Sequence, residues 1–193
     1  DQILSILVLA ARREGTLQGG VVGTLMTNLG LEQYLRSESI DFIRTPVGDR
    51  YVLQECLKRG WSLGGESSGH IINCRYLSTG DGILSALQVL LVLQTSGESL
   101  QQLSSKMDKF PQILLNVRTN GIIKLEKFPE LVHFIDKAND SLGAQGRVLI
   151  RPSGTEPCVR IMTEGPCRDS MTNLAYELKQ QVEVMLGAAS VVM

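Results

Sequence analysis

Gly19-Gly20-Val21-Val22-Gly23-Thr24-Leu25-Met26 opens with a glycine pair and runs into a short apolar stretch. That is the pattern of a turn feeding a buried strand over Val21 to Met26. The segments after it give this strand its meaning. Leu29 to Arg36 reads as a helix and Ile40 to Ile43 as a second strand. Asp49 reads as the cap of a helix that turns Val52, Leu53, Cys56 and Leu57 inward and stops at Gly60. Strand, helix, strand, helix in this order implies right-handed crossovers, and so an α/β layer built on a mixed, mostly parallel sheet with flanking helices. Upstream, Ile3, Leu4, Leu7, Val8 and Ala11 recur at helical spacing between Gln2 and Glu14, with Gly15 as the stop.

Downstream, a glycine-rich stretch from Gly64 to Gly69 leads to a short strand, Ile71 to Cys74. Asp81 is placed to cap a helix from Ile83 to Gln94 that Gly97 closes, and Ser99 to Met107 forms a further short helix. Asp108-Lys109-Phe110-Pro111 reads as a linker, so the chain divides into residues 1–108 and residues 109–193. The second part changes pattern. Gln112 to Arg118 is strand-like. Phe128 to Asp140 is helical, with Leu131, Phe134, Ile135 and Ala138 on one face. Arg147 to Arg151 and Val159 to Thr163 are strands joined by a loop. Asp169 caps a last long helix with Met171, Leu174, Ala175, Leu178, Val182 and Met185 inward. This predicts a small α+β domain with a helix-covered sheet.

The 193 residues are 43% hydrophobic, enough for a packed core, with a formal net charge of −1. Nothing in that balance attracts nucleic acid or an anionic membrane, so any anion site must be local. The four cysteines, Cys56, Cys74, Cys158 and Cys167, contain no Cys-x-x-Cys pair, and only two histidines accompany them. Buried free thiols in a reducing compartment are expected rather than a zinc site. No signal peptide is visible, and the most apolar stretch, Ile83 to Leu93, is too short to span a bilayer. A cytoplasmic protein is the expectation. The chain opens on Asp1 rather than methionine, as a fragment would.

Two loops carry chemistry. In Arg151-Pro152-Ser153-Gly154-Thr155-Glu156-Pro157 the arginine offers a planar fork for phosphate oxygens, Ser153 and Thr155 add hydroxyls, and Gly154 lets backbone N–H groups close on an anion. Arg160 can add a second guanidinium, whereas Glu156 works against an anion unless it points away. An ordinary turn with an exposed arginine would have the same residue types. In Gly64-Gly65-Glu66-Ser67-Ser68-Gly69-His70 a carboxylate beside hydroxyls suits a sugar, and His70 could carry a proton. A plain surface loop is the alternative. No dinucleotide or P-loop signature is present.

In this order the two loops resemble the sugar-binding loop of the third domain and the phosphate-binding loop of the fourth domain of the phosphohexomutase family. Further segments agree: Val21 to Asn28, Val47-Gly48-Asp49-Arg50-Tyr51-Val52, Thr79-Gly80-Asp81-Gly82 and Phe110-Pro111-Gln112. The resemblance covers nearly the whole chain. Within the family, Arg-Pro-Ser-Gly-Thr-Glu-Pro is most similar to bacterial phosphoglucosamine mutases, which interconvert glucosamine 6-phosphate and glucosamine 1-phosphate for cell-wall precursors. Phosphomannomutases and phosphoglucomutases are the neighbouring possibility, and a non-catalytic phosphosugar-binding module the more distant one.

The resemblance implies roles. Glu66 and Ser68 would hold sugar hydroxyls and His70 would sit near the reacting end. Arg151, Ser153, Gly154 and Thr155 would hold the phosphate that is not transferred, with Gly48, Asp49, Arg50 and Arg160 in support. Family members also carry a phosphoserine and an Asp-Gly-Asp-x-Asp-Arg loop for magnesium. Neither motif occurs in this sequence. The resemblance therefore implies that magnesium belongs to the longer parent enzyme, which passes through a bisphosphorylated sugar, and that the chain alone is inactive. It further implies missing N-terminal domains as partners, an incomplete third domain, and a sheet edge through which copies could associate.

Overall fold

The computed structural model describes residues 1–121, 123, 127–153 and 156–187. The chain divides into two compact units, Asp1–Lys109 and Phe110–Met193.

In the first unit, strands β1 (Val21–Thr24), β2 (Phe42–Thr45), β3 (Leu63–Gly65) and β4 (Ile71–Asn73) form one sheet in the order β2-β1-β3-β4. β1 pairs in parallel with β2 and β3, and β4 returns antiparallel to β3, so the sheet is mixed and mostly parallel as expected. Helices α1 (Gln2–Arg13), α2 (Leu29–Ser37) and α3 (Asp49–Arg59) flank it, followed by α4 (Gly82–Ser96) and α5 (Leu100–Ser104). Alternation along β1 sorts the layers. Val21 packs with Leu4, Leu7 and Val8 of α1 and Leu31 and Leu35 of α2. Val22 packs with Val52 and Cys56 of α3 and with Ile72.

Strand β3 is a correction. Gly64 and Gly65 read as the start of the glycine-rich loop, yet they and Leu63 form a strand buried in the sheet. Two interior glycines cost about 1–2 kcal/mol together, and burying Leu63 returns a roughly equal amount, about 1.5–3 kcal/mol. Space decides the matter: a Cβ on Gly64 would lie 2.6 Å from Val52 Cγ1 and 2.8 Å from the Val22 carbonyl oxygen. Smaller corrections follow from packing. The second strand runs two residues later than expected. Ile3 and Leu57 are exposed rather than inward. Gly48, not Asp49, occupies the N-cap of α3. The outer face of α4 exposes Ile83, Leu87, Leu90 and Leu91, while Ser85 and Val92 face inward.

In the second unit, β5 (Gln112–Arg118), β6 (Arg147–Pro152) and β7 (Cys158–Glu164) form an antiparallel sheet with β7 in the centre. Helices α6 (Pro129–Leu142) and α7 (Arg168–Leu186) bury Leu131, Leu178 and Val182 against Val117, Val148, Ile150, Val159 and Ile161. Cys167 rather than Asp169 is the N-cap of α7. The alternate residues of each strand point to the other face. There the register sets Gln112 and Arg147 on either side of Glu164, and Asn116 and Arg151 on either side of Arg160. Glu164 is fully buried, accepting from Arg147 Nε at 2.7 Å and Gln112 Nε2 at 2.9 Å. Among the described residues no helix is long and apolar enough to cross a membrane.

Candidate functional site

The first cluster lies at the carboxyl ends of β2 and β3, where open parallel sheets leave a crevice. The chain leaves β2 through Pro46, Val47 and Gly48 and enters α3. It leaves β3 directly into Glu66. Glu66 is 9% exposed, and its Oε1 accepts from the Gly48 N–H at 2.8 Å. β1 lies between these two strands, so the bond joins residues from either side of it. The carboxylate thereby sits at the N-terminus of α3, where the helix dipole favours negative charge. Gly48 has φ 138°, a conformation that residues with a Cβ rarely adopt.

Glu66 to His70 is the loop of the β3–β4 hairpin. The Glu66 N–H donates to the His70 carbonyl at 3.0 Å, and the Gly69 N–H to the Glu66 carbonyl at 3.0 Å. His70 Nδ1 lies 3.0 Å from Ser68 Oγ and 4.0 Å from Glu66 Oε2. Ser67 to His70 are exposed. Gly80 packs against this loop: a Cβ there would sit 3.5 Å from His70 Cβ. Asp81 accepts from the Leu84 N–H at 2.8 Å, capping α4 as expected. Asp49 and Arg50 are exposed at the start of α3, and Arg50 Nη2 donates to the Tyr51 hydroxyl at 2.6 Å. Glu66, Ser68, His70, Gly48, Asp49 and Arg50 thus share one neighbourhood. Chemically it offers a carboxylate with one oxygen committed and one facing an imidazole, beside a hydroxyl.

The second cluster lies at the end of β6 and β7 in the second unit. Arg151 and Arg160 are directly opposed across the two strands. Burial, and then the Arg160 charge, lower the Arg151 pKa from its ordinary value. Ser153 is 3% exposed. Its N–H donates to the Cys158 carbonyl at 2.8 Å, and its Oγ accepts from the Glu156 N–H at 3.3 Å. Gly154 and Thr155, expected in the same loop, lie outside the described residues. Glu156 does not point away from the cations: its Oε2 lies 3.0 Å from Arg160 Nη2. That hydrogen bond, with help from the Cys158 thiol, raises the Arg160 pKa.

Reading the sequence alone misses Asn116 and Arg118. Asn116 is paired with Arg160, and Arg118 with Cys158, on the same face of the sheet. Period-two alternation along β5 could have assigned them to one face, but not beside this loop. The thiols divide unevenly: Cys56 and Cys158 are buried, Cys74 is half-buried, and Cys167 is exposed, contrary to expectation. Among the described residues no group of three or more His, Cys, Asp or Glu side chains is placed to hold a metal ion.

The model of the family described as phosphoglucomutase/phosphomannomutase, alpha/beta/alpha domain III, matches residues 1–110. The model of the C-terminal domain of the same family matches residues 114–181. The chain is 49% identical over 185 residues to a phosphoglucosamine mutase of Thioalkalivibrio sulfidiphilus, covering 94% of this chain and 41% of that protein. It is 49% identical over 187 residues to one of Nitrosococcus oceani, covering 97% of this chain and 42% of that protein. The chain therefore spans less than half the length of these curated relatives. Among solved structures, an N-acetylphosphoglucosamine mutase of Aspergillus fumigatus has the same fold, with a TM-score of 0.83 at 21% identity over 96% of this chain and 43% of that one.

Proposed function

The chain belongs to the phosphoglucomutase/phosphomannomutase family, and from that premise we propose that it is the sugar- and phosphate-binding part of a phosphoglucosamine mutase. The reaction is the interconversion of glucosamine 6-phosphate and glucosamine 1-phosphate through a bisphosphorylated sugar. The observation that carries this reading is the opposition of Arg151 and Arg160 at the edge of a loop that also supplies Ser153. Two guanidiniums held side by side repel each other until a multiply charged anion bridges them, and phosphate matches their planar forks.

In this reading Arg151, Ser153, Gly154 and Thr155 hold the phosphate that is not being transferred, and Arg160 supports them. Glu66 and Ser68 accept and donate hydrogen bonds to sugar hydroxyls. Glu66 suits that task because the Gly48 N–H fixes one oxygen and leaves the other for the ligand. His70, held by Ser68, positions the reacting end or carries its proton. Asp49 and Arg50 border the same crevice. The chain's share of catalysis is positioning. A structure of the Aspergillus enzyme was solved with GlcNAc-6P and magnesium. In this reading the family resemblance assigns magnesium to other parts of such an enzyme, and no step here passes through it.

The test is a titration of the whole chain with glucosamine 6-phosphate, glucosamine 1-phosphate and mannose 6-phosphate, followed by amide and arginine side-chain NMR. Binding near the millimolar range, about 4 kcal/mol, is expected for a few charge-assisted contacts after association costs. Both glucosamine phosphates should shift Ser153 and Arg151, and Glu66→Ala should weaken both while leaving inorganic phosphate unaffected. No response at Arg151 or Ser153 to any of the three would overturn the reading.

A further inference from the structure

We propose that Glu156 is a resident counter-ion of the arginine pair, one that an incoming phosphate displaces from Arg160. The proposal rests on the phosphate-binding reading above and adds a residue that sets the strength and selectivity of that site.

The geometry comes in three parts. Register opposes Arg151 and Arg160 on one face of the sheet, and Arg118 shares that face on the neighbouring strand. Among the described residues the one acid that bonds to any of these three guanidiniums is Glu156, through Arg160 Nη2 at 3.0 Å. The neighbouring Nε of Arg160 is buried and, among the described residues, has no hydrogen-bond partner. Nε and Nη2 together form one edge of the guanidinium fork, and an oxyanion grips such an edge with two parallel bonds. Glu156 uses one donor of that edge and leaves the other unsatisfied, which is costly for a buried N–H. A phosphate with three oxygens can use both donors and also reach Arg151.

Glu156 is well placed to leave. Its side chain is 63% exposed and that of Arg160 41% exposed. Exposed pairs of this kind hold weakly, because water solvates both charges and ordering two side chains costs entropy. Its backbone stays anchored, with the N–H on Ser153 Oγ and the carbonyl accepting from the Cys158 N–H at 2.8 Å. The carboxylate can therefore swing out while the Glu156 backbone stays in place. While in place it neutralises part of the cationic face, so weak monoanions must compete with it. A phosphate dianion gains more from the two arginines than Glu156 does.

The experiment titrates the whole chain with inorganic phosphate and with chloride, following the arginine Nε–Hε and backbone resonances of wild type, Glu156→Gln, Arg160→Met and the double variant. Glu156→Gln should bind phosphate about two- to five-fold more tightly, the worth of one exposed ion pair removed. It should gain more for chloride than for phosphate, narrowing the preference. The Arg160 Nε resonance should move on phosphate addition in wild type. In the Arg160→Met background, Glu156→Gln should have no further effect.

Weaker phosphate binding by Glu156→Gln would overturn the proposal, since Glu156 would then be holding Arg160 in place for the ligand. Equal tightening in the Arg160→Met background would also overturn it, leaving only a long-range charge effect. In both cases the phosphate-binding reading survives. Silence of Arg151 and Ser153 in wild type would remove that reading and the proposal with it. If Arg160→Met loses its dispersed spectrum, Arg160→Lys replaces it: the point charge remains but the two-donor edge is gone.

Discussion

Gly48 shows how much one backbone N–H can decide. It stands in a conformation that favours glycine and donates to the buried Glu66 carboxylate at 2.8 Å. Glu66→Ala orphans that donor, so the chain should lose about 1–3 kcal/mol in urea unfolding, whereas Glu66→Gln, which keeps an acceptor, should lose clearly less. An unchanged midpoint for Glu66→Ala would show that the bond carries no stability. Glu164 presents the opposite case, a fully buried acid between Arg147 and Gln112. Arg147→Ala removes the guanidinium of a buried ion pair and should cost about 3–5 kcal/mol by the same measurement. The thiols separate by environment. Burial, with Cys74 nearby, pushes the Cys56 pKa from 9.0 up to about 12, while hydrogen bonding to Ser170 lowers that of Cys167. Cys167 should therefore react first with a thiol reagent at neutral pH, and Cys56 only on unfolding. For Cys56 the folded state keeps its proton to higher pH than the unfolded chain. The folded state then holds more protons above about pH 9, and stability falls as pH rises from there toward 12. Urea midpoints at about pH 8 and pH 10 should diverge less for Cys56→Ala than for wild type.

Among the elements, β3 and α4 make contrasting use of glycine. Gly64 has Val52 and the Val22 carbonyl at its back, and Gly30 in α2 has the Asp108 carbonyl oxygen so close that a Cβ would lie 1.8 Å from it. Gly64→Ala and Gly30→Ala should each cost about 1–3 kcal/mol or more, since backbone must shift. Gly82 opens α4 in open space, with nothing within 4 Å of where a Cβ would stand, and Gly82→Ala should raise stability by roughly 0.5–1 kcal/mol. Circular-dichroism melts of the three variants would separate crowding from propensity, and a stabilised Gly64→Ala would refute the packing argument. Long periodic elements were legible in the sequence. The helices α1, α3, α6 and α7 all carry apolar residues at helical spacing, and Asp81, Gly60 and Gly97 mark ends that the chain does use. Short β3 was not legible, because two glycines have no side-chain pattern and the strand exists only through its neighbours.

At the scale of the whole molecule, a net charge of −1 coexists with a local face of three arginines. Steering of polyanions scales with the summed field, while a phosphate site needs only a few aligned donors. The chain should therefore pass a heparin column at physiological salt yet respond to millimolar phosphate, and retention on heparin would show that the arginine face belongs to a polyanion surface. The composition, the α/β then α+β order, the family resemblance and the two loops were determined by the sequence itself, since each is a matter of local residue types and spacing. Which side chains meet was decided by the tertiary structure. Gly48 reaches Glu66 from across β1, Arg151 faces Arg160 by strand register, Arg118 joins them from a strand far along the chain, and Glu156 turns toward the cations instead of away. Periodicity records which face a residue occupies, but register and crossover place it beside residues tens of positions distant, and that information resides in the packing of the sheet rather than in any local stretch of the chain.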